Sequence, residues 1–355
     1  MVLGNNVKKS ALLVFSLAML MVFAVSCEGP AGPAGADGAD GIDGIDGVDA
    51  NATCTECHDN SQGIFAREIQ WAASVHATGG NFERNTGECA VCHTSQGFLG
   101  NLDGTYDWEA TGAIINNPNP QNCYTCHDIH NTYTEADLGL RVSGAVALRN
   151  VTETIDFGKG DVCASCHQGR TVEPWPVAGG ADIAVSGSRY GVHHGPQANT
   201  FAGTGLFDAG SGYTNPAMSH AGLITDACVT CHMAEPFGVQ AGGHTMKMGY
   251  DYHGSLELNT AGCLACHSAD DAVSKTEELQ AEVQGMLDSL KTLLDAEGIT
   301  AAGSDNSVSG TYDPVVAGAC LNYKALTEDR SLGVHNPGYV KYIINNSIAV
   351  LNDLP

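Results

Sequence analysis

Residues 54–58 read Cys-Thr-Glu-Cys-His, and the same Cys-x-x-Cys-His spacing returns five more times along the 355-residue chain. The copies are Cys54-Cys57-His58, Cys89-Cys92-His93, Cys123-Cys126-His127, Cys163-Cys166-His167, Cys228-Cys231-His232 and Cys263-Cys266-His267. They use twelve of the 14 cysteines, and no Cys-x-x-Cys lacks its histidine. This spacing is the attachment pattern of c-type haem. Two thiols three positions apart form thioether bonds to the two vinyl groups of one porphyrin. The histidine directly after them turns its imidazole under the iron as proximal ligand. Structural zinc, a redox dithiol or a disulfide framework would each account for paired cysteines. None of the three accounts for a histidine at the same offset six times. The expected cofactors are six covalently bound haem c groups.

Six of the 14 histidines belong to the motifs, which leaves His76, His130, His193, His194, His220, His244, His253 and His335. Six irons closed on both faces by histidine need six of these eight, so methionine ligation need not be invoked. His130 follows His127 by three residues, so one helical turn would let the two imidazoles serve adjacent haems. His76 ends Trp71-Ala-Ala-Ser-Val-His76, read as an amphipathic helix just before the second motif. His220 precedes the fifth motif, His244 follows it, and His335 opens the final helix. One of His193 and His194 is expected to ligate, and the other to hydrogen-bond a propionate or carbonyl. His253 is held in reserve.

The formal charge is −25, from 15 Lys+Arg against 40 Asp+Glu. Haem propionates add to it. Nucleic acid is a poor partner for such a surface. A basic redox protein or cationic surface would be steered in, with strong salt dependence. Aromatic residues make up only 6% of the chain and Gly counts 44. That is a thin supply of core side chains, which burial against six porphyrins would complement.

Residues 1–26 have the layout of an export signal. Lys8 and Lys9 precede an apolar run from Ala11 to Val25, and Ala24-Val25-Ser26 leads into a lone Cys27. The run is shorter than the ~20 residues a membrane span needs. Cys27 is read as the lipidated first residue of a lipoprotein, although Leu is usual where Ala24 stands. Glu28 at the second mature position favours the outer membrane, facing the periplasm or the cell surface. Residues 27–50 join this cysteine to a triplet repeat, GPA GPA GAD GAD GID GID GVD, over residues 29–49. Its period is that of collagen, but seven triplets with two prolines are short and Pro-poor. The main expectation is an extended acidic spacer, with a trimerisation stalk as the alternative.

Residues 51–355 are expected to form the hexahaem domain, with motifs across 54–267 and a helical region across 272–355. The interval between Cys163 and Cys228 is much the longest, and Thr171 to Gly180 within it is loop chemistry. Residues 141–157 read as a small hairpin around Asn150. Leu279, Val283, Met286, Leu287, Leu290 and Leu294 lie at helical spacing within a helix expected over 272–297. A Gly/Ser-rich break over 303–310 follows. Pro314 should open a second helix ending near Gly333, and Asn336-Pro337 a last one reaching Asn352. Cys320, among small apolar residues, is expected to be a buried free thiol.

The contexts Trp71-x-x-Ser-x-His76, His193-His194-Gly-Pro-Gln197, Ser219-His220, Cys228-x-x-Cys-His-Met233, Gly243-His244-Thr245 and Ser331-Leu-Gly-Val-His335-Asn-Pro337 resemble the multihaem cytochromes related to cytochrome c nitrite reductase and the octahaem oxidoreductases. The resemblance covers most of residues 51–355. It implies that these histidines are distal ligands. It also implies a mainly α fold with extensive loops and few or no strands, draped over six stacked haems, with long C-terminal helices packed against the array. The chain departs from that family in lacking a Cys-x-x-Cys-Lys motif for an open catalytic haem, and no Tyr-His-Arg catalytic group maps onto it. The expected function is therefore electron transfer in anaerobic or extracellular respiration at the cell envelope. The partners would be other cytochromes or a quinol-linked donor, and a terminal acceptor. Two alternatives stand beside it. One is a reductase of nitrite, hydroxylamine or a sulfur oxyanion at one open haem, where Arg170, Arg189 and Tyr190 are candidate neighbours. The other is a filament-forming conductive cytochrome.

Overall fold

The computed structural model describes residues 62–192 and 195–355. The export signal, Cys27, the triplet repeat, the first motif (Cys54, Cys57, His58), His193 and His194 lie outside the described residues. Among those described, the chain forms twelve α-helical segments. Nine are short: α1 Gln62–Ala72, α2 Val75–Thr78, α3 Gly87–His93, α4 Ser95–Asp103, α5 Cys123–Cys126, α6 Asp161–Ala164, α7 Gln197–Ala202, α8 His220–Leu223 and α9 Ala227–His232. Three are long: α10 Ala269–Ala296, α11 Pro314–Asp329 and α12 Pro337–Asn352. The fold is mainly α, and no described helix is long and apolar enough to cross a membrane.

Strands are few and short. They pair antiparallel in separate two-stranded units: β1 Val146–Ala147 with β2 Thr154–Ile155, β3 Ile183–Val185 with β8 Gly310–Tyr312, β4 Gly249–Tyr252 with β5 Ser255–Leu258, and β6 Thr300–Ala301 with β7 Ser304–Ser307. The first is the hairpin expected around Asn150, which takes a φ of 62° in the connection. The expected break over 303–310 is more ordered than its composition suggests. Gly303, at φ 75°, turns β6 into β7, and β8 then crosses to pair with β3.

The long helices follow their sequence signals. The Ser268 hydroxyl accepts from the Asp271 N–H to cap α10, and Asp270 and Asp271 sit in its first turn, opposite the positive end of the helix dipole. Asp313 and Asn336 cap α11 and α12, each followed by a proline whose missing N–H is no loss in a first turn. In α10, Val283, Leu287, Leu290 and Leu294 form a buried stripe. Helix α11 is different: every residue from Val316 to Tyr323 is buried, as in a helix enclosed on all sides. Cys320 is among them, fully buried. Helix α11 ends at Asp329, where Arg330 turns left-handed at φ 61°, short of the expected Gly333.

The ordinary hydrophobic core is concentrated here. It joins α10, α11 and α12 to Val172, Ile183, Val185, Val192, Leu206 and Phe207. Gly318 admits the Phe207 ring against α11, since a Cβ would lie 2.2 Å from it. Asn322 fastens the same loop: its amide accepts from the Phe207 N–H at 2.9 Å and donates to the Phe207 carbonyl at 2.7 Å and to Ser347 Oγ at 3.0 Å. Between residues 62 and 145, by contrast, only Ala90, Val91 and Phe98 are buried apolar side chains, while Phe65, Ile69, Val75, Leu102 and Ile114 are exposed. Exposed apolar side chains are ordinary on a protein surface, and here they are available to pack against a large flat group.

Asn322→Ala would leave the buried Phe207 N–H and carbonyl unpaired. We expect it to destabilise the protein by about 2–4 kcal/mol, whereas Asn306→Ala, at an exposed position, should be near neutral. Chemical unfolding of the two variants against wild type measures both.

Candidate haem sites

Each described motif folds as one tight turn. The histidine N–H donates to the carbonyl of the first cysteine at 2.9 Å in His127–Cys123, 2.8 Å in His167–Cys163 and 2.9 Å in His267–Cys263. His93 and His232 close the last turns of α3 and α9. A 13-atom ring of this kind brings residues three apart to one side of the turn. The two sulfurs and the imidazole of a motif are thereby presented together.

Three motif rings meet a histidine from far along the chain. His167 faces His76 with ring centres 6.0 Å apart, His127 faces His244 at 6.3 Å, and His232 faces His335 at 6.3 Å. A metal–imidazole bond is about 2 Å and a ring centre lies about 1.1 Å beyond the nitrogen, so two imidazoles on opposite faces of one iron have centres about 6 Å apart. The planes are inclined by 66°, 32° and 41°, so these are not stacked rings. The rings converge in twos, and among the described residues no three His, Cys, Asp or Glu side chains gather into a metal cage. Two axial ligands are what a porphyrin iron takes from a protein.

The other nitrogen of five of these six rings is held. Nδ1 of His127 lies 2.7 Å from the Leu138 carbonyl, Nδ1 of His232 3.0 Å from the Met246 carbonyl, and Nδ1 of His335 2.7 Å from Asp329 Oδ1. His167 Nδ1 meets Gln197 Oε1 at 3.4 Å and His76 Nδ1 meets the Met246 sulfur at 3.1 Å. His220 and His267 follow the same rule, through the Val334 carbonyl at 3.0 Å and Asp271 Oδ2 at 2.9 Å. A metal-binding imidazole characteristically donates its far N–H to such an acceptor, which fixes the tautomer and aims Nε2. Burial pushes His167 down to about 4, and burial, with His127 and Arg67 nearby, pushes His244 down to about 4. Both are neutral at physiological pH, the form that ligates a metal. In each pair a histidine that follows two motif cysteines faces a second imidazole, so the residues present fit a flat cofactor held by two thioethers and two imidazoles.

The cysteines show which motifs are neighbours. Cys92 of the second motif lies beside Cys166 of the fourth, and Cys163 of the fourth beside Cys228 of the fifth, each within interacting distance. Cys126 lies close enough to Cys163 and Cys166, and Cys231 to Cys263, for their charges to interact. The fourth motif thus adjoins the second, third and fifth, and the fifth adjoins the sixth. Spatial order departs from chain order and branches at the fourth motif.

The remote histidines are placed by short devices that the sequence pattern did not disclose. Helix α1 stops at Ala72, and Ser74 caps a separate turn that carries His76, so the expected continuous helix is broken. His244 rides a single 3-10 turn, Gly243–Thr245, whose backbone N–H at His244 donates to Gln70 Oε1 at 3.1 Å. Gly242 enters this turn at φ 71°, where a Cβ would lie 2.7 Å from the Ala234 carbonyl. His130 departs from its expected place: after His127 the chain is extended rather than helical, and His130 is exposed at φ 63°, with Nδ1 2.7 Å from Tyr124 Oη. His253 sits at the exposed tip of the β4–β5 hairpin. Sequence reading missed Met246, Gln70, Asp271 and Asp329. Of these, only Asp271, four residues after His267, carried a local signal.

No family model matches the chain. Its curated relatives include the c-type polyhaem cytochrome OmcB of two Geobacter sulfurreducens strains, 25% identical over 379 aligned positions that cover 85% of this chain and 48% of that protein. The chain spans about half the length of these relatives. Among solved structures, the outer cell wall cytochrome OcwA matches with a TM-score of 0.52 at 22% identity, over 80% of this chain and 50% of that one. An undecahaem cytochrome from the S-layer of Carboxydothermus ferrireducens matches at 0.43 and 19%, over 81% and 40%. The curated relatives are multihaem c-type cytochromes, and the likeness to the cell wall cytochrome is one of fold.

Gly242→Ala should displace the His244 turn. We expect destabilisation by about 1–3 kcal/mol from strain and clash together. Gly238→Ala, at φ 56° with nothing within 4 Å, should show only the backbone part, about 1 kcal/mol. Chemical unfolding curves compare the two.

Proposed function

We propose that this chain is an exported electron-transfer cytochrome that binds six haem c groups, each iron closed by two histidines. The observation that carries the reading is the three inter-ring pairs, each joining a motif histidine to one remote in sequence at the separation a shared iron requires. His76 then completes the iron of His167, His244 that of His127, and His335 that of His232. His130, His220 and one of His193 and His194 supply the sixth ligands for His58, His93 and His267. The twelve motif cysteines carry the thioethers.

When bound, each haem supplies a one-electron couple whose six-coordinate, low-spin iron changes oxidation state with little ligand rearrangement. The chain supplies the rest. Leu138, Met246, Gln197 and Asp329 orient the imidazoles, and burial keeps His167 and His244 neutral. The exposed apolar side chains over residues 62–145 would pack against the porphyrins. The adjoining cysteines would hold the attachment points side by side, in a branched arrangement centred on the fourth motif. Two axial histidines, without the methionine that raises potential, favour low potentials.

The acidic surface steers basic partners, with salt-dependent association. Export under the signal at residues 1–26, lipidation at Cys27 and an acidic spacer would hold the domain at the outer membrane. There it would pass electrons between another cytochrome or a quinol-linked donor and an acceptor such as a metal oxide.

EPR and optical spectra of the oxidised holoprotein, alone and with nitrite, test this reading. Only low-spin signals, unmoved by nitrite, are expected. His76→Ala should convert one haem to high spin and leave the others. A high-spin signal in wild type that nitrite shifts, or a wholly low-spin His76→Ala protein, would overturn it.

A further inference from the structure

The three ring pairs differ in what stands behind the imidazoles. On the His167–His76 axis both acceptors are neutral, the Gln197 amide at 3.4 Å and the Met246 thioether at 3.1 Å. On the His127–His244 axis the acceptor is the neutral Leu138 carbonyl at 2.7 Å, and the Arg67 cation lies near His244. On the His232–His335 axis one acceptor is the Met246 carbonyl at 3.0 Å, and the other is the Asp329 carboxylate at 2.7 Å. The Asp329 side chain is 1% exposed. Its second oxygen accepts from Ser331 Oγ.

This carboxylate stands against two adverse terms. Burial opposes its charge, and the last turn of α11 presents the negative end of the helix dipole to it. The loop is nonetheless shaped to hold it. Arg330, Leu332 and Gly333 take φ values of 61°, 49° and 95°, and the fully buried Asn336 caps α12 directly after His335. The product of this geometry is one contact, a buried carboxylate on the far nitrogen of an imidazole. Such a partner makes the imidazole a stronger donor. In a medium of low polarity its charge also acts on the metal with little screening. Both effects favour the ferric over the ferrous ion, since reduction removes one positive charge from beside the carboxylate.

We propose that Asp329 is a positioning residue that sets the potential of the haem between His232 and His335, making it the last of the three described pairs to accept an electron. The inference rests on the proposed ligation. Because the fifth motif lies between the fourth and the sixth, reducing equivalents settle on the side of the third and fourth motifs, and the step from the fourth into the fifth is uphill. A second carboxylate, Asp271 behind His267, is a built-in comparison. It is 43% exposed and also meets Lys275 at 3.4 Å, so its charge is largely screened.

An EPR-monitored redox titration of the holoprotein tests this with Asp329→Asn, Asp329→Glu, Asp271→Asn and His335→Ala. Asp329→Asn should ease reduction of one low-spin component about tenfold, a rise of about 59 mV for one electron, and leave the component low-spin. Asp329→Glu, which keeps the charge, should move it less, and Asp271→Asn should produce a smaller shift in a different component. His335→Ala should turn one haem high-spin, the component that Asp329→Asn shifts. An unshifted Asp329→Asn protein beside a high-spin His335→Ala protein would overturn the role of Asp329 while leaving the ligation intact. Equal shifts in Asp329→Asn and Asp329→Glu would do the same. Retention of all low-spin signals in His335→Ala would overturn the ligation itself.

Discussion

An imidazole has two nitrogens, and it can be aimed with one only if the other is tied down. That constraint organises the molecule. Among the described residues, seven histidine rings have Nδ1 on a carbonyl, carboxylate, amide or sulfur of the chain: carbonyls of Leu138, Met246 and Val334, the carboxylates of Asp271 and Asp329, the Gln197 amide and the Met246 sulfur; an eighth, His130, meets the Tyr124 hydroxyl. Each acceptor comes from a segment whose own conformation is unusual or tightly capped. Met246 is left-handed at φ 57°, with its carbonyl serving one ring and its sulfur another. Gln197, Asp271 and Asp329 stand in the end turns of helices, so helix ends and the loops beside them together carry the geometric precision.

The division of packing follows. Around α11 the chain builds an ordinary core, with Leu321, Ile343 and Ile344 fully buried and Asn322 fastening Phe207. This well-packed part holds Asp329, His335 and, through the Val334 carbonyl, His220. The part between residues 62 and 145 has almost no apolar interior of its own. Under the proposed ligation its interior is the cofactor: thioethers and iron bonds fasten each haem, and apolar side chains close over it. Gly-rich, aromatic-poor composition is compatible with a stable fold when large flat groups replace side chains.

The branching of the array has a similar origin. Motifs that follow one another in sequence at short intervals would be expected to stack in that order. The fourth motif instead lies beside the second, third and fifth through its sulfurs. The long insertion between Cys163 and Cys228, with β3 paired to β8, carries the chain away to the C-terminal helices and returns it for the fifth motif. A hub of this kind gives several routes through one domain. Under the proposed ligation, the electrostatics around each iron, rather than chain order, would decide where an electron rests.

Much of this was legible in the linear sequence. The Cys-x-x-Cys-His spacing is read within one turn of backbone, so the cofactor class and its candidate covalent and proximal residues can be named from local chemistry alone. The caps and stripes of α10, α11 and α12 are equally local, and their starts were readable to within a few residues. His76, His244 and His335 could be singled out by context, but not matched. His76 meets His167, and His127 meets His244, across long stretches of intervening chain, and nothing in either neighbourhood encodes the other. The helical turn expected from His127 to His130 is absent because a three-residue spacing implies a helix only if the helix continues, and the chain leaves it at His127. Met246, Gln197 and Asp329 became visible only in three dimensions. What they do depends on distance and burial, which no periodicity records: a carboxylate six residues before a histidine is ordinary in a sequence and consequential when it is 1% exposed and 2.7 Å from the ring.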